Sequence, residues 1–271
     1  MQTSHSTLKR TFGHAKPIIG MVHLAPLPGS PLYDAKGGME KITDLAAKDI
    51  ENLQSGGVDS IMFGNEGDRP YLLQASPVAL AAMSFAIGAL KPLIKGPFGV
   101  NYLWDPVASV SLAIASGATF AREIFTGVYE SDMGLWAPDA AGAVRLRSDG
   151  RRPDLKLMFN INAEFASPLG TRSIAQRARS AVFSSLADVI LVSGPMTGQP
   201  VETASLKLAK EAVPSVPVFA NTGVNIDTVA DILKIGDGAI VGTHFKRGGD
   251  TWKVVDKDRV RRFMDKVGKL R

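Results

Sequence analysis

Val218-Phe219-Ala220-Asn221-Thr222-Gly223-Val224-Asn225 and Gly238-Ala239-Ile240-Val241-Gly242-Thr243-His244-Phe245-Lys246 are two short β-rich runs. Each ends on a glycine flanked by hydroxyl or amide side chains, and a helical stretch at 226–233 separates them. Strand ends of this kind are how the last two units of a (β/α)₈ barrel build a phosphate cradle. Backbone N–H groups freed by glycine, with a helix N-terminus behind them, attract an anion. The pair therefore directs the search for function to one end of a barrel.

The same alternation extends outward through the chain. Apolar runs rich in β-branched residues stand at 17–24, 59–63, 98–101, 119–125, 156–162 and 189–192, ahead of 218–220 and 239–241. Helical patterns fill the gaps at 39–55, 76–91, 106–116, 137–147, 173–186, 203–212 and 226–233, and a last helix is expected at 257–269. Strands alternating with helices imply parallel pairing through right-handed crossovers. Eight such units without a break in composition predict an α/β fold closed into a (β/α)₈ TIM barrel. A doubly wound open sheet normally starts with a Gly-rich turn after its first strand. Here that position reads His23-Leu24-Ala25-Pro26-Leu27-Pro28-Gly29-Ser30-Pro31, a stiff open loop, and there is no Walker A sequence. Helix punctuation agrees, with Asp105-Pro106 as N-cap and first turn and Gly56-Gly57, Gly117 and Gly236 as stops.

The 271 residues match a barrel of about 250 plus a polar N-terminal extension over 1–16, which leaves 17–271 as one domain. Without cysteine, disulfides, thiolate nucleophiles and Cys-ligated zinc are excluded. No apolar leader opens the chain, and the longest apolar stretch, 78–90, is too short to span a bilayer, so a cytoplasmic location is expected. The net charge of +5 is concentrated in Lys246, Arg247, Lys253, Lys257, Arg259, Arg261, Arg262, Lys266, Lys269 and Arg271. That pattern is a solvated helix face or a peripheral membrane contact. No aromatics interleave it as a nucleic-acid platform requires.

Functional side chains of a barrel sit at the C-terminal strand ends. Read in order, those ends offer His23; Asn65, Glu66 and Asp68; Asn101; Arg122, Glu123 and Thr126; Asn160, Asn162 and Glu164; Ser193 and Thr197; Asn221 and Thr222; and Thr243, His244 and Lys246. Glu66 and Glu123 are the candidate proton-transfer pair, aided by His23, Asn101 and Asn162, because carboxyls in unlike environments split into acid and base. Glu123 is taken as inward-pointing. The same oxygens suit a divalent cation with His23 or Asn101 completing its shell, although no metal-binding spacing is present. Ser193, Gly194, Thr222, Gly223, Gly242 and Thr243 are the candidate phosphate ligands, with Lys246 adding a point charge. The loop at 126–136 is a candidate lid, represented by Thr126, Asp132 and Gly134. Trp136 and Trp252 are candidate contacts of a homo-oligomer.

Several of these residues carry a resemblance. Met21-Val22-His23-Leu24 followed by Pro26-Leu27-Pro28-Gly29-Ser30-Pro31 resembles the opening signature of the BtpA/SgcQ family. Asp68-Arg69-Pro70, Phe125-Thr126-Gly127, Ser131-Asp132-Met133-Gly134, Ser167-Pro168-Leu169-Gly170, Thr197-Gly198, Ile240-Val241-Gly242-Thr243, Phe245-Lys246 and Trp252 continue it from about residue 16 to the end. The resemblance implies a barrel of the ribulose-phosphate-binding type. One branch of that family is named for photosystem I biogenesis, and another accompanies carbohydrate-uptake and sugar-kinase genes. The chain departs from the family pattern at the centre. Asn65-Glu66 stands for Glu-Asn, Leu103-Trp104-Asp105 for Arg-Asn-Asp, Ala121-Arg122-Glu123-Ile124 for Ile-Arg-Val-Asn, and Asn160-Ile161-Asn162-Ala163-Glu164-Phe165 for Asp-Val-His-Val-Lys-His. The expected function is an enzyme of a small phosphorylated metabolite, a sugar phosphate, by isomerase, epimerase or lyase chemistry. The alternative is a non-catalytic assembly factor at a membrane.

Overall fold

A computed structural model describes residues 4–271. The strands, in chain order, are β1 (Ile18–His23), β2 (Ser60–Gly64), β3 (Phe98–Asn101), β4 (Phe120–Glu123), β5 (Tyr129–Ser131), β6 (Gly134–Trp136), β7 (Lys156–Asn160), β8 (Ala166–Pro168), β9 (Val189–Val192), β10 (Val218–Ala220) and β11 (Gly238–Val241). Eight of them close a parallel barrel in the order β1-β11-β10-β9-β7-β4-β3-β2. The helices are α1 (Ser4–Phe12), α2 (Gly38–Gly56), α3 (Pro77–Leu90), α4 (Pro106–Ser116), α5 (Ala140–Asp149), α6 (Ile174–Ser185), α7 (Thr203–Ala212), α8 (Val229–Ile235) and α9 (Lys257–Gly268).

The expected caps form. Asp105 accepts from the Ala108 N–H at 2.9 Å ahead of Pro106 in α4, and Ser76 accepts from Ala79 N–H ahead of Pro77 in α3. Gly57 and Gly117 close α2 and α4 in the left-handed region that favours glycine.

Strand alternation divides the core into two layers. Ile18, Val22, Ile61, Phe63, Val100 and Ala121 face the helices. Ile19, Met21, Met62, Phe120, Met158, Leu191, Phe219 and Ile240 fill the barrel interior. Gly99 is required for that filling, because a Cβ there would lie 2.0 Å from the Phe120 ring. Its missing side chain is the space that Phe120 occupies.

Two features were not anticipated. Residues 4–12, expected to be a bare polar extension, are a helix whose Leu8 and Phe12 join the interior layer, with Phe12 edge-on to Phe120 at 5.6 Å. This helix plugs the N-terminal end of the barrel. At the opposite end β5, β6 and β8 form a small antiparallel sheet. Its inner face carries buried Tyr129 and Trp136, which pack with Trp104, Ile124 and Ala163. Trp104 meets Trp136 edge-to-face at 4.7 Å, a favourable aromatic geometry. Trp136 is thereby inside the molecule and unavailable to a second copy, whereas Trp252 is half exposed beneath the Arg69 guanidinium.

No helix among the described residues is long and apolar enough to cross a membrane. Part of the C-terminal charge is used internally. Arg259 donates to the His244 carbonyl, Lys266 to the Ile226 carbonyl, and Arg271 forks onto Asp59.

Candidate active site

The interior rows end at the C-terminal rim, where apolar side chains give way to polar ones. Met21 is followed two residues on by His23, Phe120 by Arg122, Met158 by Asn160 and Phe219 by Asn221, all on one phase of their strands. Above them lies a cavity of about 70 Å³, room for several waters. His23, Glu66, Arg122, Glu123, Glu164 and Asn221 supply its polar floor, and Tyr71 and Trp104 supply aromatic walls.

The phase corrects one expectation. Arg122, not Glu123, shares the inward phase of Phe120; Glu123 shares that of Ala121, which packs in the helix-facing layer. Glu123 still reaches the cavity because it is the last residue of β4. Its Oε1 accepts from Nδ2 of Asn101 at 2.8 Å, and its Oε2 from the Ile124 N–H at 2.6 Å. Asn101 in turn accepts from Nη1 of Arg122. The guanidinium continues through Nη2 to Oε1 of Glu164 at 3.0 Å.

Glu164 is the hub of the far side. Oε1 also accepts from Ser193 Oγ at 3.3 Å and Asn221 Nδ2 at 3.4 Å, and Oε2 from Thr197 Oγ1 at 3.0 Å. Burial pushes the Glu66 and Glu123 carboxyls up to about 7, against the opposing pull of Arg122 on both. Burial, reinforced by Lys246 and Arg122, holds the His23 imidazole well below its ordinary value. His23 Nε2 lies 3.7 Å from Glu66 Oε1. With a neutral imidazole and a carboxyl that titrates near 7, this contact is not a strong ion pair at neutral pH. Glu66 Oε2, Arg122 Nε and Asn221 Oδ1 are buried without hydrogen-bond partners, so groups that normally find one are left facing a small cavity.

The candidate phosphate ligands separate into two groups. Thr222, Gly223, Gly242 and Thr243 line the cavity beside His23 and Glu66. No hydrogen bond among the described residues engages the N–H groups of Gly223 and Thr243. Ser193 and Gly194 instead stitch loops together. Asn162 Nδ2 donates to the Ser193 carbonyl at 2.6 Å, the Ser193 N–H returns to Asn162 Oδ1 at 2.9 Å, and the Gly194 N–H donates to Thr222 Oγ1. Asn162 is thus a brace and not a lining group. Gly223 has φ +63°, and a Cβ there would lie 2.2 Å from the Gln199 carbonyl. The loop after β9 needs this glycine in order to fold over the end of β10.

Lys246 does not join them. Its Nζ donates to Asp49 Oδ2 at 2.6 Å in an almost fully buried pair, and Asp49 Oδ1 accepts from the Val255 N–H. The charge expected for phosphate anchors the segment after β11 to α2. The expected lid residues also lie off the cavity. Thr126 accepts the Tyr129 hydroxyl through its carbonyl, while Asp132 and Gly134 form the exposed hairpin tip. Trp104, Ile124 and Phe165 line the cavity beneath that sheet. Among the described residues no group of three or more His, Asp or Glu side chains has the arrangement of a metal centre. His23, Glu66 and Glu123 therefore do not form such a group, and Asn101, the other residue considered for a cation shell, donates to Glu123.

Arg122, Glu164 and Asn221 stood among the strand-end residues without an assigned role, and Thr197 was expected only as part of the loop that would hold phosphate. The signal for Glu164 was a carboxylate just past the end of an apolar barrel strand.

A closed (β/α)₈ barrel with a polar C-terminal mouth is the class that fold and site define. The chain belongs to the BtpA family, which it matches over residues 14–269. It is 46% identical over 266 residues to the sgc region protein SgcQ of Escherichia coli K12, covering 98% of this chain and 99% of that one. It is 33% identical over 262 residues to the photosystem I biogenesis protein BtpA of Synechocystis, covering 95% and 90%. Among solved structures it resembles (S)-3-O-geranylgeranylglyceryl phosphate synthase of Thermoplasma acidophilum in complex with sn-glycerol-1-phosphate. The TM-score is 0.61 at 13% identity over 99% of this chain and all of that one, a likeness of fold.

Proposed function

We propose that the protein is an enzyme of a small phosphorylated metabolite, a sugar phosphate, and that it works by moving protons. One observation carries this reading. Glu66 and Glu123, both titrating near 7, open into the same cavity as the glycine-ended loops of β10 and β11. A general acid or base is most effective when its pKa lies near the working pH. Such a pair suits isomerisation or epimerisation through an enediolate, one carboxyl removing a proton from carbon and the other supplying one. Aldol cleavage, the lyase alternative, likewise begins with removal of a hydroxyl proton. Neutral His23 can donate to a carbonyl oxygen, and Asn101 fixes Glu123. The Gly223 and Thr243 N–H groups and the Thr222 and Thr243 hydroxyls are the proposed phosphate donors. The barrel resembled in fold was solved with a small phosphate ester bound, which supports the substrate class.

The test is a panel of sugar phosphates scored by thermal shift and by exchange of substrate C–H for deuterium from heavy water. A ligand that raises Tm and exchanges hydrogen is expected. If none raises Tm, and phosphate or sulfate never occupies the loops after β10 and β11, the proposal is wrong.

A second reading, a membrane-surface assembly factor, draws on α9. Lys257, Arg261, Arg262 and Lys269 are exposed opposite buried Val260, Phe263, Met264 and Val267, and one relative is named for photosystem I biogenesis. Salt-sensitive co-sedimentation with anionic vesicles supports it; no co-sedimentation at low salt removes it.

A further inference from the structure

Glu164 lies on the turn between β7 and β8, and its carboxylate is held by side chains from three other parts of the barrel. Arg122 comes from β4, Ser193 and Thr197 from the loop after β9, and Asn221 from the end of β10. One guanidinium and three neutral donors around two oxygens are the constituents of an oxyanion-binding site. Arg122, Glu164, Ser193 and Asn221 are each more than nine-tenths buried, while Thr197 stands on the exposed loop at 195–200. The site is deep on three sides and open on the fourth.

Its occupant is poised to leave. Phe165, the next residue, holds φ +56°, a left-handed conformation that costs a non-glycine residue. Phe165 is substantially exposed and its N–H donates to the Pro195 carbonyl at 3.1 Å. Loss of that one bond would let the backbone beside Glu164 relax from the left-handed region. Asn162, clamped to Ser193 on both sides of its amide, keeps the preceding residues in place. Arg122 and Asn221 both line the cavity, and Arg122 Nε is a buried donor without a partner. The donor set thus extends by one N–H beyond what Glu164 satisfies.

We propose that Arg122, Ser193, Thr197 and Asn221 form an oxyanion subsite, and that Glu164 fills it as an internal surrogate until a carboxylate or phosphate group of the ligand displaces it. The subsite shares the cavity with Gly242 and Thr243, its Thr197-Gly198 segment lying against Thr243, so it deepens the sugar-phosphate reading by adding a second recognition point, yet it can fail or succeed independently of that reading. An internal competitor weakens binding by the fraction of time it occupies the site, and removing it strengthens binding by the same factor.

The experiment is calorimetric titration of the full chain with inorganic phosphate and, separately, with acetate. Glu164→Ala is expected to bind one of them at least tenfold more tightly than the unsubstituted protein. Glu164→Gln keeps the shape and removes the charge, and is expected to gain at least threefold; it carries the test if the alanine variant does not fold. Adding Thr197→Val to either variant is expected to cancel most of the gain. The anion preferred tells a carboxylate-bearing ligand from a phosphate. No gain in either variant, or a gain indifferent to Thr197→Val, overturns the proposal. Phosphate binding that depends on Gly242 but not on Thr197 or Glu164 leaves the loop reading intact and removes this one. Anion binding by the Glu164 variants with no sugar phosphate bound does the reverse.

Discussion

Asn101 donates its Nδ2 hydrogen to Glu123 Oε1 at 2.8 Å, and it can do so in only one orientation because Arg122 occupies its Oδ1. The amide is therefore a fixed donor to a carboxyl that titrates near 7. A hydrogen bond to the ionised form lowers a carboxyl pKa. Asn101→Leu is expected to raise the Glu123 pKa further and to cost about 1–3 kcal/mol of stability, since it orphans two buried groups. Carboxyl-resolved infrared or NMR titration, with urea unfolding, checks both.

Glu66 gives a pH signature. Its folded pKa is raised from 4.5 to about 7, so the folded state holds the proton where the unfolded chain has lost it. Stability from this group is full below about 4.5 and is lost as pH rises toward 7, then level. Glu66→Gln is expected to flatten that decline by a few kcal/mol, measured as urea unfolding free energy between pH 4.5 and 8. His23 acts in the opposite sense, because its lowered pKa makes stability rise as pH climbs toward about 6.5, above which its contribution is level. The difference between variant and parent isolates Glu66. An unchanged slope contradicts the assignment.

Lys246 and Asp49 are expected to behave as a structural unit. Lys246→Ala leaves a buried carboxylate unpaired and should cost about 3–5 kcal/mol. The double variant Lys246→Met with Asp49→Leu should recover most of that while leaving affinity for phosphate within a factor of about two. A large loss of phosphate affinity in a stable double variant restores Lys246 to the ligand shell.

Gly223→Ala must displace the Gln199 carbonyl and hold alanine at φ +63°. A loss of about 1–3 kcal/mol is expected, with sugar-phosphate binding falling alongside Tm. Normal stability with lost binding would instead mean that the methyl group blocks the ligand directly.

Phe12→Ala opens a void under Phe120 in a well-packed interior and should cost about 3–5 kcal/mol. Urea unfolding reads this, and removal of residues 1–15 is expected to be at least as damaging. A neutral result means that the helix is a bystander.

The barrel was legible in the sequence because each of its strands is a run of β-branched or apolar residues between helix caps. The strand ends differ from expectation by only a residue or two, as with β1 at 18–23 against 17–24. The strands of the small antiparallel sheet escaped notice because three residues are too few to show a period. Helix α1 escaped because its composition is polar, although Leu8 and Phe12 stand four apart on one face. Glu66 and His23 line the cavity, as polar residues at C-terminal strand ends are expected to do. The phase of β4 was misjudged because a four-residue strand ending in Arg122-Glu123 offers two charges to one inward position. Lys246 was misjudged because its partner, Asp49, lies 197 residues away, and pairing at that separation leaves no local trace.

With Leu8 and Phe12 wedged beneath the interior rings, the cavity is stoppered at the N-terminal end of the barrel. On the proposed function, reactant and product would then have to pass at the opposite end, beside the small antiparallel sheet, and a molecule lodged between Trp104 and Phe165 would hinder entry and exit together.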